Sequence, residues 1–363
     1  MDSLSRLTII IPTFGRSIFV RRQIQFWSDL PVRVAIIDGS PEPISDLEQT
    51  LTGNISYVHM GSDFQSRMLK SVEYIRTEFV AVLGDDDFFS PAGLRACIDR
   101  LDADPPIIGC VGRSIRFAFQ QNRILAEQRE PQSTEFPASV LNGLDRLYAT
   151  YHPGKIGALL YGVYRFEPWR DVINATYCVR YRTAYIYDTI IRVLLTYRSA
   201  IGLVDTLTWY CSSENSPVKT APGWNRLIGG VDWLTATDSK GEVAECKRRI
   251  IDDLAALKVD DRQEIEPAVN FVFSELINRY AAKAAIKAKW STRIKALVVR
   301  LSPRFVRQIG KKILPKKLKR SLDWTLVDFD QVVTDLASAG IKVDFADAQR
   351  FVRHVRWTHL KVS

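Results

Sequence analysis

The first hundred residues alternate short apolar runs with amphipathic stretches, and that alternation restricts the fold more than any other feature of the chain. "LTIII" (7–11), "VRVAIID" (32–38), "ISYVHM" (55–60) and "FVAVLG" (79–84) have the length and the aliphatic, β-branched content of buried strands. Between them, "SIFVRRQIQFW" (17–27) and "FQSRMLKSVEYI" (64–75) place their apolar residues near helical spacing, the second at 64, 68, 69, 72 and 75. "SPAGLRACIDRL" (90–101) reads as a further helix with Pro91 in its first turn. Strands joined by helices and buried on both faces make a parallel sheet. The fold class predicted is therefore α/β, a Rossmann-like, mostly parallel sheet flanked by helices. In such sheets ligands bind beyond the carboxyl ends of the strands, and "PTFGR", Asp38 and Asp85–Asp87 all fall there.

After "SPAGLRACIDRL" the pattern changes. "IIGCVGRSIRFAFQQNRILAEQ" (107–128) reads as longer strands and a hairpin, "SVLNGLDRLYATY" (139–151) as a helix and "GALLYGVY" (157–164) as a strand. A helix over 187–199, a strand over 200–212 and a turn-rich loop over 213–225 follow, and from residue 229 the reading is mainly helical. The 363 residues are enough for a core domain and a second module. The predicted division is 1–228 and 229–363, the latter carrying a basic amphipathic segment over 279–320.

"VAVLGDDDFFSP" (80–91) drives an apolar strand into three adjacent carboxylates. Like charges about 4 Å apart repel by roughly 4 kcal/mol at an effective dielectric of 20, so water, basic side chains or a cation must compensate. Mg²⁺ and Mn²⁺ favour carboxylate and water oxygens and usually also touch substrate phosphates. Arg16 and Arg67 each follow a strand end by a few residues, where a guanidinium can grip a phosphate with two donors. The combination points to a metal–diphosphate site. The competing reading is an idle, solvated acidic turn with two solvated arginines.

These residues carry a resemblance. "LTIIIPTFGR", "VAIIDGS" and "FQSRMLKSVEYIRTEFVAVLGDDDFFSP" resemble, in order and spacing, the N-terminal half of a GT-A glycosyltransferase of the family 2 type. The similarity covers residues 5 to 105 well and 155 to 215 loosely. It implies a GT-A fold and a metal-dependent, inverting transfer of a sugar from a nucleotide-sugar donor, typically a UDP-sugar, to a polysaccharide or lipid-linked acceptor hydroxyl. By that resemblance Pro12, Thr13 and Arg16 line the nucleotide pocket and Asp38 accepts a hydrogen bond from the base. Arg67 lies near the nucleotide or diphosphate, and Asp85 contacts the ribose side. Asp86 binds the metal, Mn²⁺ or Mg²⁺, with Asp87 as a second ligand or its supporting partner. The catalytic base is expected in an acidic pair opening a helix about a hundred residues on. Asp188 in "AYIYDTIIRVLL" stands there, with Tyr187 where Glu is common; a plain first-turn acid is the other reading. The His or Arg that often completes the site after the next strand is missing from "WYCSSENS", leaving Glu214, Asn215 or Lys219 as substitutes. Lys155 is expected on the acceptor side. Trp169, Trp209 and Trp224 are sugar-stacking candidates, with the core as their alternative place.

Charge adds a partner. The net charge is +9, but between Leu276 and Leu322 fifteen Lys and Arg occur with no acid, which leaves the remainder of the chain at −6. "WSTRIKALVVRLSPRFVRQIGKKILPKKLKR" (290–320) interleaves those cations with apolar residues at helical spacing, a pattern suited to the surface of an anionic membrane. No nucleic-acid motif accompanies it, so no nucleic-acid partner is predicted. The alternative is a helix packed on the catalytic domain with a solvated basic face. No run of 18 apolar residues and no signal peptide is read, and five scattered cysteines without a CxxC pair argue against a zinc site or a disulfide framework. The expected location is cytoplasmic, peripheral at the inner face of the cell membrane. Two further readings stay open: a sugar nucleotidyltransferase, although "PTFGRS" has one Gly where a Gly-rich loop is usual, and a membrane-associated GT-A scaffold without turnover.

Overall fold

The computed structural model describes residues 2–128, 142–151, 159–213, 227–300 and 326–362. Among the described residues ten strands form one sheet: β1 (Leu7–Thr13), β2 (Arg33–Asp38), β3 (Ile55–His59), β4 (Phe79–Val82), β5 (Phe88–Phe89), β6 (Gly109–Gln120), β7 (Arg123–Gln128), β8 (Val163–Arg165), β9 (Ile201–Ser212) and β10 (Val327–Asp328). Their order is β10-β7-β6-β8-β4-β1-β2-β3, with β9 pairing both β5 and β6. The half made of β4, β1, β2 and β3 is parallel, as the βα alternation requires. Beyond β4 the pairings turn antiparallel, apart from the parallel β6–β9 contact. The expected hairpin is β6–β7, turned by Gln121 and Asn122, both at positive φ, the backbone form that two-residue hairpin loops favour.

Helices cover both faces: α1 (Ser17–Trp27), α2 (Phe64–Ser71), α3 (Pro91–Ala103), α4 (Gly143–Tyr151), α5 (Phe166–Tyr177), α6 (Tyr185–Arg198), α7 (Gly230–Thr235), α8 (Lys240–Ala255) and α9 (Arg262–Arg300), then α10 (Phe329–Ser338) and α11 (Phe345–Val362). Alternation along the strands divides the core. Ile9, Ile11, Val34 and Ile36 pack with α1 and α3, while Ile10, Ala35, Ile37 and Val80 pack with α2, α5 and α6. Helix α5 was not anticipated. The strand expected over 157–164 is only three residues long and passes straight into α5. That helix buries Trp169, Val172, Ile173, Thr176 and Tyr177 at helical spacing, with Pro168 in its first turn.

The region after residue 229 divides between the two faces. Helices α8 and α9 lay Cys246, Ile250, Val269 and Phe273 on the second core. The chain then returns to the other side, where β10 pairs antiparallel with β7 and Phe351 of α11 joins the first core. Its ring centroid lies 4.5 Å from Tyr210, 4.8 Å from Phe117, 5.0 Å from Phe329 and 5.3 Å from Phe88. Among the described residues no helix is long and apolar enough to cross a membrane. The expected basic segment over 279–320 falls partly outside the described residues: its backbone continues α9 to Arg300, and 301–325 are not covered.

Candidate active site

The site forms where three parallel strands stop. Thr13 and Asp38 are register partners at the ends of β1 and β2. Pro12 is tolerated in a central strand for a geometric reason. Ile10 turns its carbonyl toward the β4 side to accept from Leu83, and Thr13 turns its own toward Gly39 after β2. Pro12, two residues beyond Ile10, therefore faces the β4 side, past the last β1–β4 register pair at Ile10 and Val82. Its missing N–H therefore falls just past the paired part of that edge. Gly15, at φ 65°, makes the turn into α1 and donates its N–H to Ser40 Oγ at 2.8 Å.

The three adjacent acids have three different environments. Asp85 is buried and accepts from Thr13 Oγ1 at 2.7 Å and from Arg16 Nη1 at 2.8 Å. Asp86 is more open, its side chain 17% exposed, with Arg16 Nη1 at 3.6 Å. Asp87 turns inward to β9, accepting from Trp209 Nε1 at 3.1 Å and from the Ser212 N–H at 2.7 Å. The pairing of β5 with β9, Phe89 opposite Trp209, brings those donors to it. Burial, and secondly the charge of Asp86, push the carboxyl of Asp85 above its usual range and that of Asp87 up to about 8.

Asp38 is fully buried. Ser40 gives it a backbone N–H and a hydroxyl bond, and Tyr57 donates its hydroxyl at 2.6 Å. Three of about four acceptor positions on the carboxylate are thus filled. Arg67 crosses beneath both strand ends, its Nη1 donating to the carbonyls of Thr13 at 2.6 Å and Ile37 at 3.1 Å. Burial lowers its pKa, and its Nε has no partner among the described residues. Gly39 is required beside it, because a Cβ there would sit 2.4 Å from Arg67 Nε.

Asp188 lies in the first turn of α6, its carboxylate held by Arg192 one turn on through Nε at 3.2 Å and through Nη2. Tyr161 lies within the electrostatic reach of this acid and of the acidic turn. It stacks on Trp209 at 3.9 Å and 12°, and its hydroxyl feels the charges of Asp87, Asp188 and Asp86. The structure therefore links Thr13 and Arg16 to Asp85, and Arg16 to Asp86, and sets Asp38 and Arg67 beside Thr13; the charges of Asp188 and of the acidic turn both act on Tyr161. Tyr187 is turned away, its hydroxyl bonded to Gln65 and to the Tyr181 N–H. Trp169 and Trp209 are core residues, 1% and 3% exposed. Trp224, Lys155, Glu214, Asn215 and Lys219 lie outside the described residues.

One residue that sequence reasoning passed over holds the acidic turn. Gln23 of α1, fully buried, donates to the carbonyls of Asp85 at 3.0 Å and Asp87 at 2.7 Å while accepting from Trp27 Nε1 at 2.9 Å. A signal existed: Gln23 interrupts the apolar stripe Val20, Ile24, Trp27. No cluster of three metal-ligating side chains occurs among the described residues. The donor set still fits a divalent ion that arrives with its phosphates, since such ions use one or two protein carboxylates and complete their shell with water and phosphate oxygen. Asp86 is the most open of the three, between two carboxyls that burial raises.

Residues 8–158 match the family described as glycosyl transferase family 2. No curated protein matches the sequence. Among solved structures, S. aureus TarS 1-349 in complex with UDP-GlcNAc is 14% identical over 68% of this chain and 66% of that one, with a TM-score of 0.46. S. aureus TarS 1-349 in complex with UDP is 12% identical over 77% of this chain and 92% of that one, with a TM-score of 0.44.

Proposed function

We propose that this chain, whose residues 8–158 match the family described as glycosyl transferase family 2, transfers a sugar from a nucleotide-sugar, a UDP-sugar, to a saccharide or lipid-linked hydroxyl with inversion. The observation that carries the reading is the convergence of Thr13, Arg16 and Asp85 beside an open Asp86 at the ends of β1 and β4. In this reading Pro12, Thr13 and Arg16 form the wall against the nucleotide, and Asp38 uses its remaining acceptor position for the imide N–H of the base. The unpartnered Nε of Arg67 supports a place for its guanidinium beside the nucleotide or diphosphate. Asp85 keeps Arg16 in position and meets the ribose side.

Asp86 would hold Mn²⁺ or Mg²⁺, with Asp87 bracing the turn from β9. The bound ion supplies positive charge to the departing diphosphate. Asp188 takes the proton from the acceptor hydroxyl as that oxygen bonds to the anomeric carbon and the bond to the diphosphate oxygen breaks. Arg192 fixes the direction of the carboxylate through its two bonds. The fifteen cations between Leu276 and Leu322 support peripheral attachment to an anionic membrane, at its cytoplasmic face.

Isothermal titration tests the donor site. UDP is expected to bind in the presence of Mn²⁺, and Asp86→Ala to weaken that binding about tenfold or more, one lost charged contact being worth at least 1.4 kcal/mol. Equal affinity in Asp86→Ala at saturating Mn²⁺ rejects the metal role. Asp188→Asn should retain UDP and lose turnover; near-normal turnover removes Asp188 as the base.

A further inference from the structure

Where α6 begins, α7 and α9 leave a cleft of about 310 Å³ lined by Tyr185, Gly229, Gly230, Val231, Asp232 and Tyr280, at the low end of the roughly 300–1,000 Å³ typical of ligand pockets. Tyr185, Gly230 and Tyr280 also border an inner pocket of about 10 Å³ that reaches Thr183 and Trp233, room for one water-sized group. Thr183 and Trp233 are 0% and 1% exposed, and neither Thr183 Oγ1 nor Trp233 Nε1 has a hydrogen-bond partner among the described residues. Buried donors without acceptors are uncommon in folded proteins, and two residues that carry one line this one pocket. At the mouth, Tyr185 is 61% exposed. A Cβ on Gly230 would stand 3.2 Å from Tyr280 Oη and 3.3 Å from Tyr185 Cβ, so glycine keeps the cleft open.

The position matters as much as the lining. Tyr185 and Asp188 are three residues apart on α6 and so share a face, and the Tyr280 hydroxyl feels the charge of Asp188. With Asp232 at the rim and Arg192 already committed to Asp188, the cleft does not favour an anion. Aromatic rings, one carboxylate and two orphaned donors are what a neutral saccharide uses, apolar C–H face against the rings and hydroxyls to the polar atoms.

We propose that this cleft binds the acceptor as a neutral saccharide, one ring lying against Tyr185 and Tyr280 and one hydroxyl reaching Thr183 Oγ1 and Trp233 Nε1. The inference rests on the reading of Asp188 as the base. It assigns acceptor choice to α6, α7 and α9, all outside the stretch matched by the family. Ligand-observed NMR on the full chain, with a panel of methyl α- and β-glycosides of hexoses and N-acetylhexosamines, reads it directly. At least one neutral glycoside is expected to bind, and Tyr185→Ala, Tyr280→Ala and Gly230→Val each to weaken it about tenfold or more, as truncation of a central contact does. Thermal melting shows whether each variant is folded; should Tyr280→Ala or Gly230→Val unfold, the exposed Tyr185 still carries the test. Unchanged binding in the folded variants, or no glycoside bound by the unsubstituted protein, overturns the inference. UDP titrated into the unsubstituted protein separates the failures. UDP bound without any glycoside sinks the acceptor cleft alone, and neither bound sinks the transferase reading with it.

Discussion

Gln23 shows how the acidic turn is kept in shape. Its amide satisfies two backbone carbonyls of the turn and one indole N–H, all within the core. Gln23→Leu fills similar space but strands those three groups, each worth about 1–3 kcal/mol when buried unpaired. Urea unfolding should therefore show a loss of about 2–4 kcal/mol after partial relaxation, together with weaker UDP binding. A change below about 0.5 kcal/mol, the range of ordinary surface substitutions, would show that α1 does not hold the turn. The same scale marks where sequence reading stops. Three consecutive Asp residues are chemically identical in the sequence, yet Thr13 and Arg16 hold the first, solvent reaches the second, and Trp209 and Ser212 hold the third. Those partners lie between 69 and 125 positions away.

At the scale of elements, α11 braces the site from the far end of the chain. Phe351 is fully buried against Phe88, the residue that follows Asp87, and against Tyr210 of β9. Arg350 of the same helix donates to Asp29 and to the Phe26 carbonyl, just beyond and within α1. Phe351→Ala should cost about 3–5 kcal/mol, the usual range for a buried Phe. Because the cavity would lie under β5, UDP affinity should fall with it; calorimetric melting close to that of the unsubstituted protein would deny α11 this role. The elements most legible in the sequence were those with a strong period, such as the helices at 17–27 and 90–101 and the strands at 7–11 and 79–84. Helix α5 escaped because its face is aromatic and mixed, with Thr176 and Tyr177 in place of aliphatic residues. The three-residue β8 is too short to show a period at all.

For the whole molecule, the charge is as unevenly distributed as the apolar surface. The stretch rich in Lys and Arg joins α9, which packs on one face of the sheet, to β10, which extends its edge. If that stretch meets a membrane, the chain should co-sediment with vesicles containing anionic lipid and be released as salt rises. Replacing Lys311, Lys312, Lys316 and Lys317 with Gln should remove roughly 1 kcal/mol each near the surface, or at least a hundredfold in partitioning. Equal binding to neutral vesicles, or binding indifferent to salt, would assign those cations another partner.

The α/β class and the gathering of Thr13, Arg16, Asp38, Arg67 and Asp85–Asp87 at the strand ends were legible in the sequence alone. Burial period and the ends of parallel strands are local properties, written over spans of five to fifteen residues. The tertiary structure alone decided which acid is more open, that Gln23 and Tyr57 hold the acids at the strand ends, and that α7 and α9 frame a cleft where α6 begins. Each of these depends on residues far apart in the chain meeting at contact distance, and no local pattern of apolar and polar residues encodes such a meeting.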